Sequence, residues 1–195
     1  MRFELDELQL EARDTIRKIA QEDDALERLD EFGAFDPALV VVTFEAIGYA
    51  GLVVPEDRYG EHPALAAAAQ LVGLGQRMLD MTVDYVRERH QFGVPVGSFQ
   101  AVKHQLADAL KELAFARPPV WRAAETIEPR DVSMAKAMAS DAASFVARRA
   151  LQCHGAIGYT VEYELHRFLK QTWVLARSFG DAAWHRDRIA KELQI

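Results

Sequence analysis

The chain has 195 residues, half of them hydrophobic and 27% charged, enough for one compact domain with a sizeable core and a small appendage. Its 23 basic and 30 acidic residues leave a net charge of -7, which argues against a nucleic-acid partner, because neutralising phosphates needs excess Lys and Arg. A single cysteine, Cys153, excludes an internal disulfide and suits a reducing cytoplasm; no apolar run approaches bilayer length, and the opening MRFELDELQLEARD is charged and periodic, unlike a signal peptide.

Residues 3–22 place Leu5, Leu8, Ala12, Ile16 and Ile19 on one stripe, predicting an amphipathic helix. A polar, acidic stretch follows to Gly33. Asp36 and Pro37 then read as the cap and first turn of another helix. The run from Ala38 to Phe44 fits a buried strand or a short buried helix; its continuation through Glu45, Ala46 and Ile47 favours helix.

From Pro63 the pattern is strongly helical, with Leu65, Ala68, Leu71, Val72, Gly75, Met78, Leu79, Val83 and Val86 on one face. Arg87, Arg89 and His90 end that helix, where the macrodipole favours cations. Phe92 and Pro95 flank Gly93 in a tight connection, and Ser98 opens the next helix. That helix turns Val102, Leu106, Ala109, Leu110 and Leu113 inward, until Pro118-Pro119 breaks or kinks it. Pro129 and Asp131 open an Ala-rich third helix carrying Met134, Met138, Phe145 and Leu151, ended by Gly155 and Gly158. Thr160 caps a fourth helix through Leu175, and a last helix after Gly180 carries Trp184, Ile189 and Leu193. Long helices with short joints predict an all-α, antiparallel four-helix bundle over 62–195, with a reduced helical segment over 1–61.

Each candidate site has a plain structural reading beside it. An arginine beside an aromatic on the 87–100 loop suits a phosphate joined to a flat ring, yet the spacing alone favours a helix-helix connection with a solvated basic end. Arg148, Arg149, Gln152 and Gly155 suit an amide-bearing ligand, and equally a polar face with a helix stop. Cys153 and His154 are neighbours that point in different directions on a helix, so packing is preferred to a catalytic pair. Trp173 and Trp184 read as core or interface. No histidine has Glu three residues before it, which removes the di-metal bundle motif, and no Walker or G-x-G-x-x-G pattern is present.

Together and in order, YVRERHQFGVPVGSFQAVKHQLAD (85–108), ALQCHGAIGYTVEYELHRFLK (150–170) and GDAAWHRDRIA (180–190) resemble the C-terminal half of the acyl-CoA dehydrogenase family. MRFELDELQLEARDTIRK and FDPALVVVTFEAIGYAGLVVPEDRYG resemble its first helices. The family's central β-domain has no counterpart, since Tyr59-Gly60 passes almost directly into the bundle. The resemblance puts the family's pyrophosphate-binding arginine at Arg89, the loop aromatic at Phe92 and the helix-opening glutamine at Gln100. It puts the adenosine contacts at Gln152 and Gly155, with Ala156 in place of a second glycine. In the family these contacts serve the flavin of a neighbouring subunit. The usual glutamate base falls on Phe179, the alternative base position on Pro63, and the flavin-contacting Thr on Asp181. Glu61 and Asp181 lie close by in sequence as displaced carboxylates.

The resemblance therefore implies a cytoplasmic, non-base subunit of a heteromeric FAD-dependent acyl-CoA dehydrogenase. A larger partner would supply the glutamate and the acyl-CoA pocket in a two-plus-two heterotetramer sharing FAD. The complex would desaturate an acyl-CoA between Cα and Cβ, with a steroid side-chain thioester as the implied substrate class. A homo-oligomeric flavin-binding protein without dehydrogenase activity, and a cofactor-free helical assembly partner, are the alternatives.

Overall fold

Apolar residues three and four apart give residues 61–195 their helices, and this is the part of the chain that the computed structural model describes. The helices and turns predicted for the N-terminal segment lie outside those residues. Helix α1 spans His62–Glu88, with Pro63 in its first turn, where a missing N–H costs nothing. Two short strands, β1 (His90–Gln91) and β2 (Val94–Pro95), and a 3-10 turn (Val96–Ser98) follow. Helix α2 is Gln100–Thr126 and α3 is Pro129–His154; a second 3-10 turn, Gly155–Tyr159, leads to α4 (Leu165–Arg177) and α5 (Ala182–Leu193). The predicted all-α bundle is the fold. Short joints make successive helices antiparallel, so α1 and α3 run the same way.

Helix α3 is the hub, packing against α1, α2, α4 and α5. Half of its buried positions are alanine (Ala135, Ala137, Ala139, Ala142, Ala143, Ala147, Ala150), which lets four neighbours approach closely. The larger core side chains come from them: Leu71 and Met78 of α1, Leu113 of α2, Leu165 and Leu175 of α4. At Gly75 an added Cβ would stand 2.6 Å from Leu113 Cδ2, so α1 and α2 meet there at glycine distance.

Several boundaries differ from the sequence reading. Ser98 does not open α2. It lies in the 3-10 turn and its Oγ donates to the Pro95 carbonyl (2.7 Å), leaving Phe99 at the cap. Thr160 does not cap α4; its hydroxyl donates backwards to Ile157, and the helix begins at Leu165. Pro118 and Pro119 lie inside an unbroken α2. The carbonyls they leave without an i+4 amide belong to Ala114 and Phe115, both exposed residues on the solvent side of the helix. Leu110 is 51% exposed rather than inward.

The most expensive group in the core is Lys136, with no exposed surface. Its Nζ donates to Ser140 Oγ (3.1 Å) and to the carbonyls of Ala176 (3.2 Å) and Gly180 (3.0 Å). All three ammonium protons are used, two of them on the α4–α5 corner. Burial pulls its pKa from 10.5 to about 8, against the upward pull of Asp181.

Two outcomes follow for stability. Lys136→Met should cost about 2–4 kcal/mol in urea unfolding at pH 7, because carbonyls shaped for a cation lose it. The folded pKa lies below the unfolded one, so the wild-type chain should gain stability as pH rises from about 8 to 10.5, a gain absent from the variant. Gly73, by contrast, is an exposed helical glycine with open space around a would-be Cβ. Gly73→Ala should raise stability by about 0.5–1 kcal/mol in the same measurement.

Candidate functional site

Because α1 and α3 are parallel, their C-termini meet at one end of the bundle, and the ring of Tyr85 stacks on that of His154 there (centroids 4.4 Å apart, planes at 20°). This end carries the positions singled out in sequence.

Arg89 caps α1, its N–H donating to the Tyr85 carbonyl at 2.9 Å. The chain then turns back as a hairpin in which His90 pairs with Pro95 and Gln91 with Val94. The two loop residues, Phe92 (φ 54) and Gly93 (φ 81), both have positive φ, which makes a type I′ turn. The Val96 N–H donates to the Arg89 carbonyl (2.8 Å), so the arginine's backbone is bonded on both sides. At Gly97 a Cβ would come within 3.0 Å of the Val86 carbonyl, so only glycine lets the returning loop lie this close to α1.

The hairpin therefore holds its side chains outward from a fixed base. Phe92 is 93% exposed, touching only the edge of Phe99 (6.3 Å between centroids). Holding a non-glycine residue at positive φ costs about 1–2 kcal/mol, and here it presents a bare aromatic ring. The guanidinium of Arg89 is exposed and makes no ion pair or hydrogen bond among the described residues. Gln100 opens α2 and is exposed as well.

On the α3 side Gln152 is exposed in the last turn, and Gly155 caps the helix at φ 65, ψ -140, backbone that only glycine adopts freely. Nothing lies within 4 Å of a Cβ built on Gly155, so it faces open space. Ala156 is exposed beside it. A free planar donor fork, a bare ring, an amide and an open glycine backbone together suit a dinucleotide with a diphosphate. The exposed groups at Arg89, Phe92, Gln100, Gln152, Gly155 and Ala156 are compatible in chemical type with the FAD that the family resemblance implies.

The opposite end differs in kind. Pro63 and Glu61 lie at the start of α1, which at 27 residues is roughly 40 Å long, so that end lies far from Arg89. Phe179 (φ 59) and Gly180 (φ 91) turn the chain between α4 and α5. The Phe179 carbonyl accepts from His185 Nε2 (3.0 Å), whose Nδ1 in turn accepts from Ser133 Oγ (3.1 Å). Burial pushes the His185 pKa down, and the neutral ring suits both bonds. A Cβ on Gly180 would collide with Trp184 (2.7 Å) and His185 (2.9 Å).

The two neighbouring carboxylates are occupied. Glu61 makes a two-point pair with Arg188, with Nη1 to Oε2 at 3.0 Å and Nη2 on Oε1. Asp181 caps α5 by accepting from the Trp184 N–H (2.8 Å). Trp184 and Trp173 are half-exposed rather than core. Cys153 is half-buried with its thiol pushed up by burial, against Arg149, which disfavours a thiolate. His154 spends its Nδ1 on the Ala150 carbonyl (2.8 Å). No cluster of metal-ligating side chains occurs among the described residues, and none of their helices is long and apolar enough to cross a membrane.

Sequence reasoning missed the groups that hold these ends together. Tyr85, His154 and Tyr163 gave no signal as a set, nor did Lys136, His185 and the Glu61–Arg188 pair. Only the alternation of short joints and long helices hinted that the ends of α1 and α3 would meet.

Residues 60–194 match the family model for the acyl-CoA dehydrogenase C-terminal domain. The chain is 38% identical over 117 residues to acyl-CoA dehydrogenase IpdE2 of Mycobacterium tuberculosis, covering 60% of this chain and 37% of the relative. Among solved structures it resembles glutaryl-coenzyme A dehydrogenase in its glutaryl-CoA complex (35% identity, TM-score 0.67, 69% of this chain and 36% of that one). It also resembles the ChsE4-ChsE5 complex from Mycobacterium tuberculosis (33% identity, TM-score 0.65, 69% of this chain and 38% of that one). The chain thus spans well under half the length of these relatives.

The strained glycine offers a direct check of the corner. Gly155→Ala should destabilise the chain by about 1–3 kcal/mol in urea unfolding, a pure backbone cost since no neighbour crowds the new methyl.

Proposed function

This chain belongs to the acyl-CoA dehydrogenase family, and from that premise we propose that it is the non-base subunit of a heteromeric, FAD-dependent acyl-CoA dehydrogenase. A larger relative brings the catalytic carboxylate and the acyl-CoA pocket. This chain brings the Arg89 hairpin and the Gln152–Gly155 turn to the diphosphate and adenosine end of a shared FAD. The likeness to the ChsE4-ChsE5 complex supports an unlike partner, and a two-plus-two assembly in the cytoplasm is the form we assign. We place the domain boundary at residue 62, with the bundle from there onward.

One observation carries the reading. The end of the bundle with Arg89 offers unpaired polar and aromatic groups, whereas the end with the family's base positions presents Phe179 and Pro63, with Glu61 and Asp181 committed to structural bonds. Removing a proton from the carbon next to a thioester requires a carboxylate within hydrogen-bond reach. Neither Phe nor Pro provides one, so that step falls to the partner. When bound, FAD supplies the two-electron acceptor for α,β-desaturation, the chemistry being the cofactor's. Arg89 neutralises diphosphate charge through parallel N–H donors, and Phe92 and Gln100 flank it. Gly155 allows close backbone approach. A bulky acyl-CoA, such as a steroid side-chain thioester, is the substrate class we assign to the complex.

The test is co-expression with a larger acyl-CoA dehydrogenase-like chain. The lone chain should purify colourless, and the mixed complex should carry one flavin per pair of unlike chains. Arg89→Ala should weaken flavin binding roughly ten- to a hundred-fold, the worth of a charge-assisted hydrogen bond (about 1.5–3 kcal/mol), without loss of helix content. Firm flavin binding by the lone chain would favour the homo-oligomeric alternative. A colourless complex would favour the cofactor-free one, and undiminished flavin in the variant would remove Arg89 from the site.

A further inference from the structure

Arg89 and Gly155 belong to separate helices, and something must set the distance between them. We propose that Tyr85, His154 and Tyr163 are positioning residues that hold the Arg89 hairpin and the Gln152–Gly155 turn at one fixed separation. The inference rests on the dinucleotide reading for its consequence, and on the geometry of three rings for its substance.

Tyr85 lies one turn before Arg89, and its carbonyl accepts the Arg89 N–H at 2.9 Å. Displacing Tyr85 therefore displaces the root of the hairpin. His154 immediately precedes Gly155, and the Gly155 N–H is bonded to the Leu151 carbonyl of the same last turn. The two rings stack at 4.4 Å, and Tyr85 Oη donates to the His154 carbonyl at 3.4 Å. The side chain of α1 thus grips both the ring and the backbone of the residue beside the open glycine.

Tyr163, from the turn before α4, closes the set. Its centroid lies 4.9 Å from that of His154 and 6.0 Å from that of Tyr85, edge-on to the latter. Three rings from three elements fix one another where a pair could slide.

The imidazole is fixed in tautomer as well. The Ala150 carbonyl can only accept, so Nδ1 carries the proton in that 2.8 Å bond. Nε2 is then a bare lone pair, buried without a hydrogen-bond partner among the described residues. A polar atom placed so is costly, which argues for a role in the ring beyond filling space. The titratable groups facing His154 are Tyr85 from α1 and Tyr163 from the turn; Arg77, Asp84 and Glu88 of α1 act in turn on Tyr163. None of these donates a hydrogen bond to Nε2. Burial holds the His154 pKa below its ordinary value, so the stacked state belongs to the neutral ring and weakens as pH falls.

The test reads two quantities that separate the positioning role from the cofactor assignment. In the full chain without cofactor, hydrogen exchange reports the Val96 and Gly155 amides; in the mixed complex, flavin titration reports affinity. Tyr85→Leu should speed exchange at both amides and weaken flavin binding roughly tenfold or more (~1.4 kcal/mol per tenfold), and Tyr85→Phe, which keeps the ring, should recover most of both. His154→Phe should keep the stack and make flavin retention less sensitive to acidification below pH 6.5, where the wild-type complex loses flavin as the ring takes up a proton. If Tyr85→Leu does not fold, Tyr163→Leu at the edge of the stack makes the same measurement. Wild-type exchange in the leucine variant, or flavin held as tightly as before, would overturn the proposal. If the wild-type complex binds no flavin, the cofactor reading fails by itself, and the exchange arm alone decides: faster exchange upholds the holding role and unchanged exchange ends it.

Discussion

A helix enclosed by four others has almost no room for side chains, and that constraint on α3 organises everything else. Alanine is the answer at half of its buried positions, because a methyl group lets backbones approach while keeping helix propensity high. Two of the others are valine, and the rest are polar with defined partners. Asp131 accepts from Arg122 Nε and from Thr126 Oγ1 (both 2.9 Å), tying the α2–α3 joint. Ser133 donates to His185, Ser140 accepts from Lys136, and Lys136 gathers the carbonyls of the α4–α5 corner. The central helix is thus apolar along its flanks and hydrogen-bonded where a turn must be held.

The same arrangement separates the molecule's two ends. One is knotted by buried polar bonds and an ion pair, and its backbone is committed to supporting itself. The other is held from beneath by stacked rings and shows the solvent an arginine, a phenylalanine, a glutamine and a glycine turn. A parallel α1 and α3 are needed for this division, since an antiparallel pair would have put Arg89 and Gly155 a helix length apart.

The helices were legible because their period is long and repeated. Ten or more residues of 3.6-fold spacing outweigh a local contradiction, which is why α2 runs unbroken through Pro118-Pro119. The ends were less legible. The hairpin has two residues per strand, too few for alternation to register, and its Phe-Gly loop lacks the Asn or Asp that usually marks a type I′ turn. Thr160 had the side chain of a cap and spent its hydroxyl on a 3-10 turn instead. Leu110 sits at the border of a stripe, where spacing does not tell inside from outside. Arg89, Phe92 and Gln152 stand out only through family likeness, because one exposed arginine resembles another in composition and spacing. The stack of Tyr85 on His154 joins residues 69 apart in the chain, and only the return path of α2 and α3 brings them together.

The double proline in α2 has a consequence of its own. The prolines deprive the oxygens of Ala114 and Phe115 of their usual i+4 amide partners, on a helix that also exposes the rings of Phe115 and Trp121. A greasy surface pressed over this stretch would strand two acceptors in a dry seam. Whatever covers it must come with N–H or O–H groups in register, or leave a file of water in between; the outer ridge of α2 thereby filters its neighbours by chemistry as well as by shape.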